Sequence, residues 1–358
     1  MALPILDSAI SGKRDQIMAV DLGSRTTKAV WLQHRAQGFA LCGFAILDAP
    51  IYEKTLPVEL LSEHLKAVVQ VLQAKTRHVA LTAGGSDAHV RHADIPPMSV
   101  PDMRQVLKLN SKSYLQQDLA GHVFDCHLGA RAQQPKPANK PKDSGGPQKQ
   151  RVLVAAARKQ LVDDMVQGAK GAGLVADFLM PNLIGPVNAF EKAMPELFAK
   201  EAVALVDVGF KNSSICIVLE GELVLSRVVG IGSDKLTQGL AETLSVSYAE
   251  AEGIKIGMPG EVQAQLETLL LPLGRELRAS IDFFEHQQDR PVTQVFITGG
   301  ASRSEFIVQK LRQELMVECK VLNPTSFLEM QLPPQQTSEI EAAGPQLAVA
   351  LGAALAAL

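Results

Sequence analysis

Twice in this chain a β-like apolar run ends in Asp-x-Gly and continues through small hydroxyl or amide residues. The first copy reads Val20-Asp21-Leu22-Gly23-Ser24-Arg25-Thr26-Thr27-Lys28. The second reads Val206-Asp207-Val208-Gly209-Phe210-Lys211-Asn212-Ser213-Ser214. Each leads into another β-like run, KAVWL or ICIVL, so each reads as a β-hairpin. Glycine at such a turn lets backbone N–H groups approach an anion with no Cβ in the way. Ser24, Thr26, Thr27, Asn212, Ser213 and Ser214 add side-chain donors, and Lys28 adds a point charge suited to phosphate. Asp21 and Asp207 cannot bind phosphate themselves, but they can hold a hydrated Mg²⁺ through water while the ion bridges phosphate oxygens. Asp-x-Gly alone is ordinary turn chemistry. Its appearance twice, once in each half, points to a polyphosphate clamped from both sides. A third segment, Ile297-Thr298-Gly299-Gly300-Ala301-Ser302-Arg303, runs from a strand through paired glycines into a helical pattern. That places helix N–H donors at a strand's carboxyl end, where α/β folds bind ligands.

The elements that must carry these residues alternate short β-branched runs with longer helical patterns. Strands are expected at 17–24, 28–33, 38–48 and 78–84, with a helix at 57–75 whose apolar residues recur at i, i+3 and i+4. A small α/β unit follows, with strands at 90–97, 122–131 and 151–158 and helices at 101–119 and 159–174. Residues 132–150 are rich in Pro, Gly and Lys and lack any large apolar side chain, the composition of a flexible hairpin tip. Next, 201–232 holds three strand-like runs. Helices are expected at 234–253 and 260–288, a strand at 291–300, a helix at 302–315, a strand at 318–324 and a last helix from Gly344-Pro345.

The 358 residues are 46% hydrophobic and 20% charged, enough for a large core and too apolar for wholesale disorder. A net charge of -3 and 4% aromatics supply neither the basic excess nor the stacking platforms that nucleic acid requires. Cys42, Cys126, Cys216 and Cys319 are far apart with no CxxC pair, so reduced thiols in a cytosolic protein are expected. His89 and His92 would fall on opposite faces of a strand, which argues against a metal site. No GxSxG elbow surrounds Ser302. The N-terminal MALPILDSAISGKRDQ lacks a basic n-region ahead of an apolar run. The apolar stretch QLAVALGAALAAL (346–358) falls short of the ~20 residues that span a bilayer. A soluble chain is expected, with membrane contact only through a partner.

Together these segments resemble the actin-like ATPase superfamily, which includes sugar kinases, heat-shock chaperone ATPases, actin and FtsA. The resemblance implies an α/β, bilobed actin-like fold made of duplicated ribonuclease H-like lobes. Asp21–Lys28 is similar to the first phosphate motif, with Lys28 at the position that meets phosphate in actin-type members. Asp207–Ser214 is similar to the second phosphate motif, and Ile297–Arg303 to the adenosine motif. The implied nucleotide contacts therefore include Gly299, Gly300, Ala301 and Arg303. Residues 181–193 and 345–358 would be the connecting helices, with Ala350, Gly352, Ala353 and Ala354 suited to close crossing.

Within the superfamily, the chain most resembles the PilM family of type IV pilus assembly. IPPMSVPDMRQVL (95–107), VLVAAARKQLVDDMVQGAKGAGL (152–174), GIGSDKLTQGLAETLSVSYAEAEGIKIG (230–257) and RELRASIDFFEHQ (275–287) carry this likeness. By analogy, Glu252 and Lys255 would face adenosine. The implied layout is a flexible tail at 1–16; lobe I from 17–90, 182–200 and 344–358; an FtsA/PilM-type inserted subdomain at 91–181; and lobe II at 201–343. The implied cofactors are ATP and Mg²⁺. The implied partner is the cytoplasmic tail of a PilN-like inner-membrane protein, placing the chain in the cytoplasm at the membrane's inner face. Superfamily hydrolases put Gln, Glu or Asp at the start of the first connecting helix; here Met180-Pro181-Asn182-Leu183 stands there, which implies slow or no hydrolysis. Phe210-Lys211 replaces small residues in the second hairpin. The alternatives are a catalytic ATPase or small-molecule kinase of the superfamily, an FtsA-like cell-division protein, and an interaction platform that has lost nucleotide. The FtsA reading would require a linker and a basic amphipathic helix after the second connecting helix.

Overall fold

The computed structural model describes residues 6–7, 14–84, 87–129 and 149–358. Runs of β-branched and small apolar residues build two main sheets of matching plan. In the first, β2 (Gln16–Leu22), β3 (Thr26–Arg35) and β4 (Gly38–Asp48) follow one another antiparallel. Helix α1 (Val58–Leu72) then returns the chain to β5 (His78–Ala83), parallel to β2. The sheet is completed by β1 (Leu6–Asp7), β9 (Val175–Pro181) and β15 (Glu329–Met330), in the order β1-β9-β5-β2-β3-β4-β15. Within the expected N-terminal tail, Leu6–Asp7 thus pair with β9.

The second sheet repeats the arrangement. Strands β10 (Ala202–Val208), β11 (Ser213–Leu219) and β12 (Glu222–Val229) are antiparallel neighbours. Strand β13 (Gln294–Thr298) runs parallel to β10, and β14 (Cys319–Val321) runs parallel to β13.

Between β5 and β9 a smaller unit is inserted. Its strands β6 (Ala88–Ile95), β7 (His122–His127) and β8 (Gln150–Arg158) form a sheet in the order β6-β8-β7. Strand β8 shows the period of 2 plainly. Val152, Val154 and Ala156 join Met103 and Leu107 of α2 (Val100–Leu115), while Leu153, Ala155 and Ala157 join the core of the first sheet. The expected boundaries at 91–181 shift accordingly. Helix α3 (Lys159–Gly171) packs on α1, with Gly168 against Leu61, and β9 is a strand of the first sheet. Strand β15, expected in lobe II, pairs with β4. Most of the expected hairpin tip at 132–150 lies outside the described residues.

Two helices connect the sheets. Pro181 closes β9 and Asn182–Ile184 form a 3₁₀ turn, so the first connecting helix, α4 (Gly185–Ala193), starts later than expected. On its far side, Phe190 packs 4.9 Å from Phe296 of β13. Lobe II then adds α5 (Ser233–Leu244), α6 (Tyr248–Gly257), α7 (Gln263–Gln288) and α8 (Glu305–Leu315). The single helix expected at 234–253 is two. Ser245 ends α5 in the left-handed region, and Ser247 with Glu250 forms a capping box that starts α6. The final helix, α9 (Ala348–Ala357), packs on β2, β3 and β5 and crosses α4. The crossing is made by glycines: a Cβ on Gly352 would lie 1.8 Å from the Gly185 carbonyl oxygen, and one on Gly185 would lie 2.6 Å from Val349 Cα. By length and composition alone, Ile340–Ala357 could cross a membrane. In the fold, Ala348 to Leu355 are buried.

Candidate functional site

The parallel strands β2, β5, β10 and β13 bring the site together at their carboxyl ends. Asp21 closes β2 opposite Lys28 on one side and Thr82 on the other. Asp207 closes β10 opposite Ser214 and Thr298 in the same way. Both aspartates are held alike: Thr82 Oγ1 donates to Asp21 Oδ1 at 2.8 Å, and Thr298 Oγ1 donates to Asp207 Oδ1 at 3.0 Å. Each threonine fixes one oxygen of its carboxylate.

Gly23, Gly209 and Gly299 each stand where a Cβ has no room. A Cβ at Gly23 would lie 2.6 Å from the Thr26 carbonyl and 2.9 Å from Lys28 Nζ, so the lysine ammonium folds over the first turn. A Cβ at Gly209 would meet the Asn212 carbonyl at 2.7 Å. Gly299 has φ 89° and no room for a side chain, with Asp207 Oδ1 only 2.7 Å from its Cβ position. The third segment therefore lies directly on the second hairpin. Its helix begins later than expected: Gly300–Arg303 is a 3₁₀ turn, and α8 is capped by Ser304. Gly300 and Arg303 are exposed, while Ala301 is buried in the lobe II core and can offer only its backbone.

The two hairpins converge. Burial pushes the Asp207 carboxyl above its usual range, and Asp21 raises it further; Lys28 and the Thr298 hydrogen bond oppose the rise. The tips also touch directly. The Arg25 guanidinium sits 5.2 Å from the Phe210 ring centroid, and Arg25 Nη1 donates to Glu252 Oε1 of α6 at 2.6 Å. Glu252 Oε2 accepts from Lys255 Nζ at 2.6 Å, and Lys255 also donates to Thr237 Oγ1 at 2.6 Å. Burial opposes ionisation of Glu252, but bonds from Lys255 and Thr237 outweigh it and hold the carboxyl below its usual range. The second tip is fastened to the start of α5. Ser233 N donates to the Gly209 carbonyl, Asp234 N donates to the Phe210 carbonyl, and Lys211 Nζ donates to Asp234 at 2.6 Å.

Two expected donors face elsewhere. Thr27 is fully buried, with its hydroxyl 2.7 Å from His64 Nε2 of α1. Ser213 is buried and donates to the Ile231 carbonyl at 2.6 Å. Strand alternation turns both to the side opposite Lys28 and Ser214. Ser24 and Asn212 are exposed at the tips, and Thr26 is half-buried. Sequence reasoning did not single out Thr82, Thr298, His64 or Arg25 as contributors. The only signal for the two threonines was a hydroxyl residue near the end of each apolar run, HVALTA and QVFIT.

The arrangement fits a magnesium nucleotide by its donor chemistry. Two carboxylates, one with its charge disfavoured by burial and by its neighbour, would gain from a hydrated dication between them. Lys28 would supply a cation to the phosphates, while the Gly23 and Gly209 N–H groups already donate within their turns, to the Asp21 and Asn212 carbonyls at 3.1 Å. Among the described residues, no group of three or more His, Cys, Asp or Glu side chains could ligate a metal directly.

A family model described as type IV pilus assembly protein PilM matches residues 19–358. The structure of a PilM-PilN type IV pilus biogenesis complex superposes with a TM-score of 0.81 at 20% identity, covering 97% of this chain and 99% of that one. Ethanolamine utilization protein EutJ from Carboxydothermus hydrogenoformans gives 0.55 at 14% identity, covering 98% and 92%. MreB 5 of Spiroplasma citri bound to AMPPNP gives 0.53 at 9% identity, covering 96% and 95%. At these identities the likeness shows a shared fold, which is the actin-like one.

Proposed function

The chain belongs to the PilM family of type IV pilus assembly proteins, and on that footing we propose that it is an ATP-binding scaffold whose nucleotide locks the two lobes together. The carrying observation is the pair of threonine-held aspartates, one from each sheet, close enough that Asp21 raises the pKa of Asp207. In this reading Gly23, Ser24, Thr26, Lys28, Gly209, Asn212 and Ser214 line the phosphates. Asp21 and Asp207 hold Mg²⁺ through water. Glu252 and Lys255, with the Gly299–Arg303 turn, take the adenosine. A hydrated Mg²⁺, where bound, would supply charge neutralisation for these carboxylates. The AMPPNP bound to the Spiroplasma citri MreB 5 supports a nucleotide in this fold.

The scaffold would recruit the cytoplasmic tail of a PilN-like inner-membrane protein, a partner supported by the PilM-PilN complex of the same fold. The inserted unit with its margins is our proposed seat for that tail. The protein would thus work in the cytoplasm, reaching the membrane through its partner. Nucleotide would shift the population toward the closed form, and partner affinity would follow by linkage. Asn182, the first residue after β9, is shorter than Gln or Glu and lacks a carboxylate, so in this reading turnover would be slow or absent.

The test is a titration of fluorescent ATP·Mg²⁺ against wild type and Asp207→Asn. The variant should lose about tenfold or more in affinity, as expected for removing a charge that holds the ion. Its melting temperature without nucleotide should stay level or rise, because a disfavoured buried charge has been removed. Equal affinity in both proteins would defeat this site. Saturating wild type at 100 times its Kd should add about 2.7 kcal/mol of stability.

A further inference from the structure

One side chain joins the lobes across the front of the proposed nucleotide site. Arg25, at the tip of the first hairpin, holds Glu252 at 2.6 Å and covers the Phe210 ring at 5.2 Å. Both partners belong to lobe II: Phe210 is the tip of the second hairpin and Glu252 lies on α6. Neither partner is free to drift. The Phe210 carbonyl accepts from Asp234 N at 2.9 Å, and a Cβ on Gly232 would lie 2.2 Å from that same oxygen. Glu252 is pinned through its second oxygen by Lys255 and Thr237. Arg25 therefore grips a rigid receiver with a guanidinium suited to stacking on a ring while donating in its plane to a carboxylate.

The grip competes with a ligand. Glu252 Oε1 is taken by Arg25 and Oε2 by Lys255 and Thr237, so both acceptor oxygens are engaged while Arg25 is in place. A ribose hydroxyl can donate to Glu252 only by displacing or sharing with the guanidinium. The Arg25 side chain is 44% exposed and that of Glu252 is 14% exposed, so solvent and salt reach the bridge. Phe210, one of the two residues that depart from the small ones expected at the second tip, is the ring that the Arg25 guanidinium sits over.

We propose that Arg25 is a bolt between the lobes, closed on Glu252 and Phe210, which an adenine nucleotide that calls on Glu252 draws as it seats. This rests on the nucleotide reading of the site above. Removing the bolt speeds nucleotide entry. It also makes entry less sensitive to salt, because an exposed ion pair is what salt weakens.

The experiment is stopped-flow binding of mant-ATP with Mg²⁺ to the full chain at 50 and 500 mM NaCl, comparing wild type, Arg25→Gln and Arg25→Lys. The glutamine variant should associate about fivefold faster than wild type at low salt, equivalent to ~1 kcal/mol. High salt should narrow that gap. The lysine variant, which keeps the charge and loses the guanidinium, should fall between. Slower or weaker binding by Arg25→Gln would overturn the bolt by making Arg25 a ligand contact, and identical rates would overturn it outright. If neither wild type nor variant binds mant-ATP, the nucleotide reading fails instead. A nucleotide-independent arm is a double-mutant cycle of Arg25→Gln and Glu252→Gln on melting temperature. Additive shifts in that cycle would show that the two side chains do not couple and would also sink the bolt.

Discussion

Thr27 and Ser213 occupy equivalent places in their hairpins, and each gives its hydroxyl to the protein, to His64 and to the Ile231 carbonyl. Thr27→Val and Ser213→Ala should each cost about 1 kcal/mol, because a buried partner loses its hydrogen bond. Nucleotide affinity should be unchanged in both, whereas Lys28→Met should weaken it about tenfold; titration and thermal melts on the three proteins check this. The residue types around Asp-x-Gly suggest phosphate-binding turns, but the face of each hydroxyl depends on hairpin register, and turn composition leaves register open. Thr82 and Thr298 were hidden for a related reason: each reaches its aspartate from a strand that is distant in sequence and adjacent in the sheet. Asp207 also sets a pH dependence. Its folded pKa lies above the unfolded one, so its contribution favours folding at low pH and is lost as pH rises through the folded value.

At the scale of elements, periodicity located nearly every strand and helix around the site, and errors gathered where local chemistry interrupts a pattern. The break between α5 and α6 rests on Ser245 in the left-handed region and on the Ser247 cap, signals that a continuous apolar period conceals. Strand β15 has two residues and no pattern of its own; only its pairing with β4 defines it. The small-residue stripe in α9 did announce a close crossing. Gly352→Ala should destabilise the protein by about 3 kcal/mol, the upper end of ordinary overpacking, because its Cβ would meet the Gly185 carbonyl oxygen of the other connecting helix. Gly253→Ala, in the exposed middle of α6 with nothing within 4 Å, should instead stabilise by about 0.5–1 kcal/mol. Chemical denaturation of both variants separates a steric cost from a general intolerance of substitution.

At the scale of the molecule, the inserted unit touches lobe II as well as lobe I. Ser226 Oγ donates to the Val90 carbonyl and Arg151 Nη2 donates to the Val224 carbonyl, each at 3.3 Å. Beside them, burial and the Arg151 charge pull His92 down to about 4, against smaller upward pulls from the Leu223 backbone and Asp94. The unfolded chain therefore takes up a proton near the ordinary histidine value while the folded protein does not, so stability falls as pH drops between about 6.5 and about 4. His92→Gln should flatten part of that fall in melts run across the same window. His64, His89 and His127, which burial also depresses, add to the fall, and Glu252 adds at its lower end. The contact of Gly185 with Gly352 has a mechanical consequence. Main chain rests on main chain there, with no rotamers to readjust, so sliding is blocked and turning about the point of touch is what remains. The two connecting helices are therefore keyed together at one height, and a displacement of either along its axis carries the other with it.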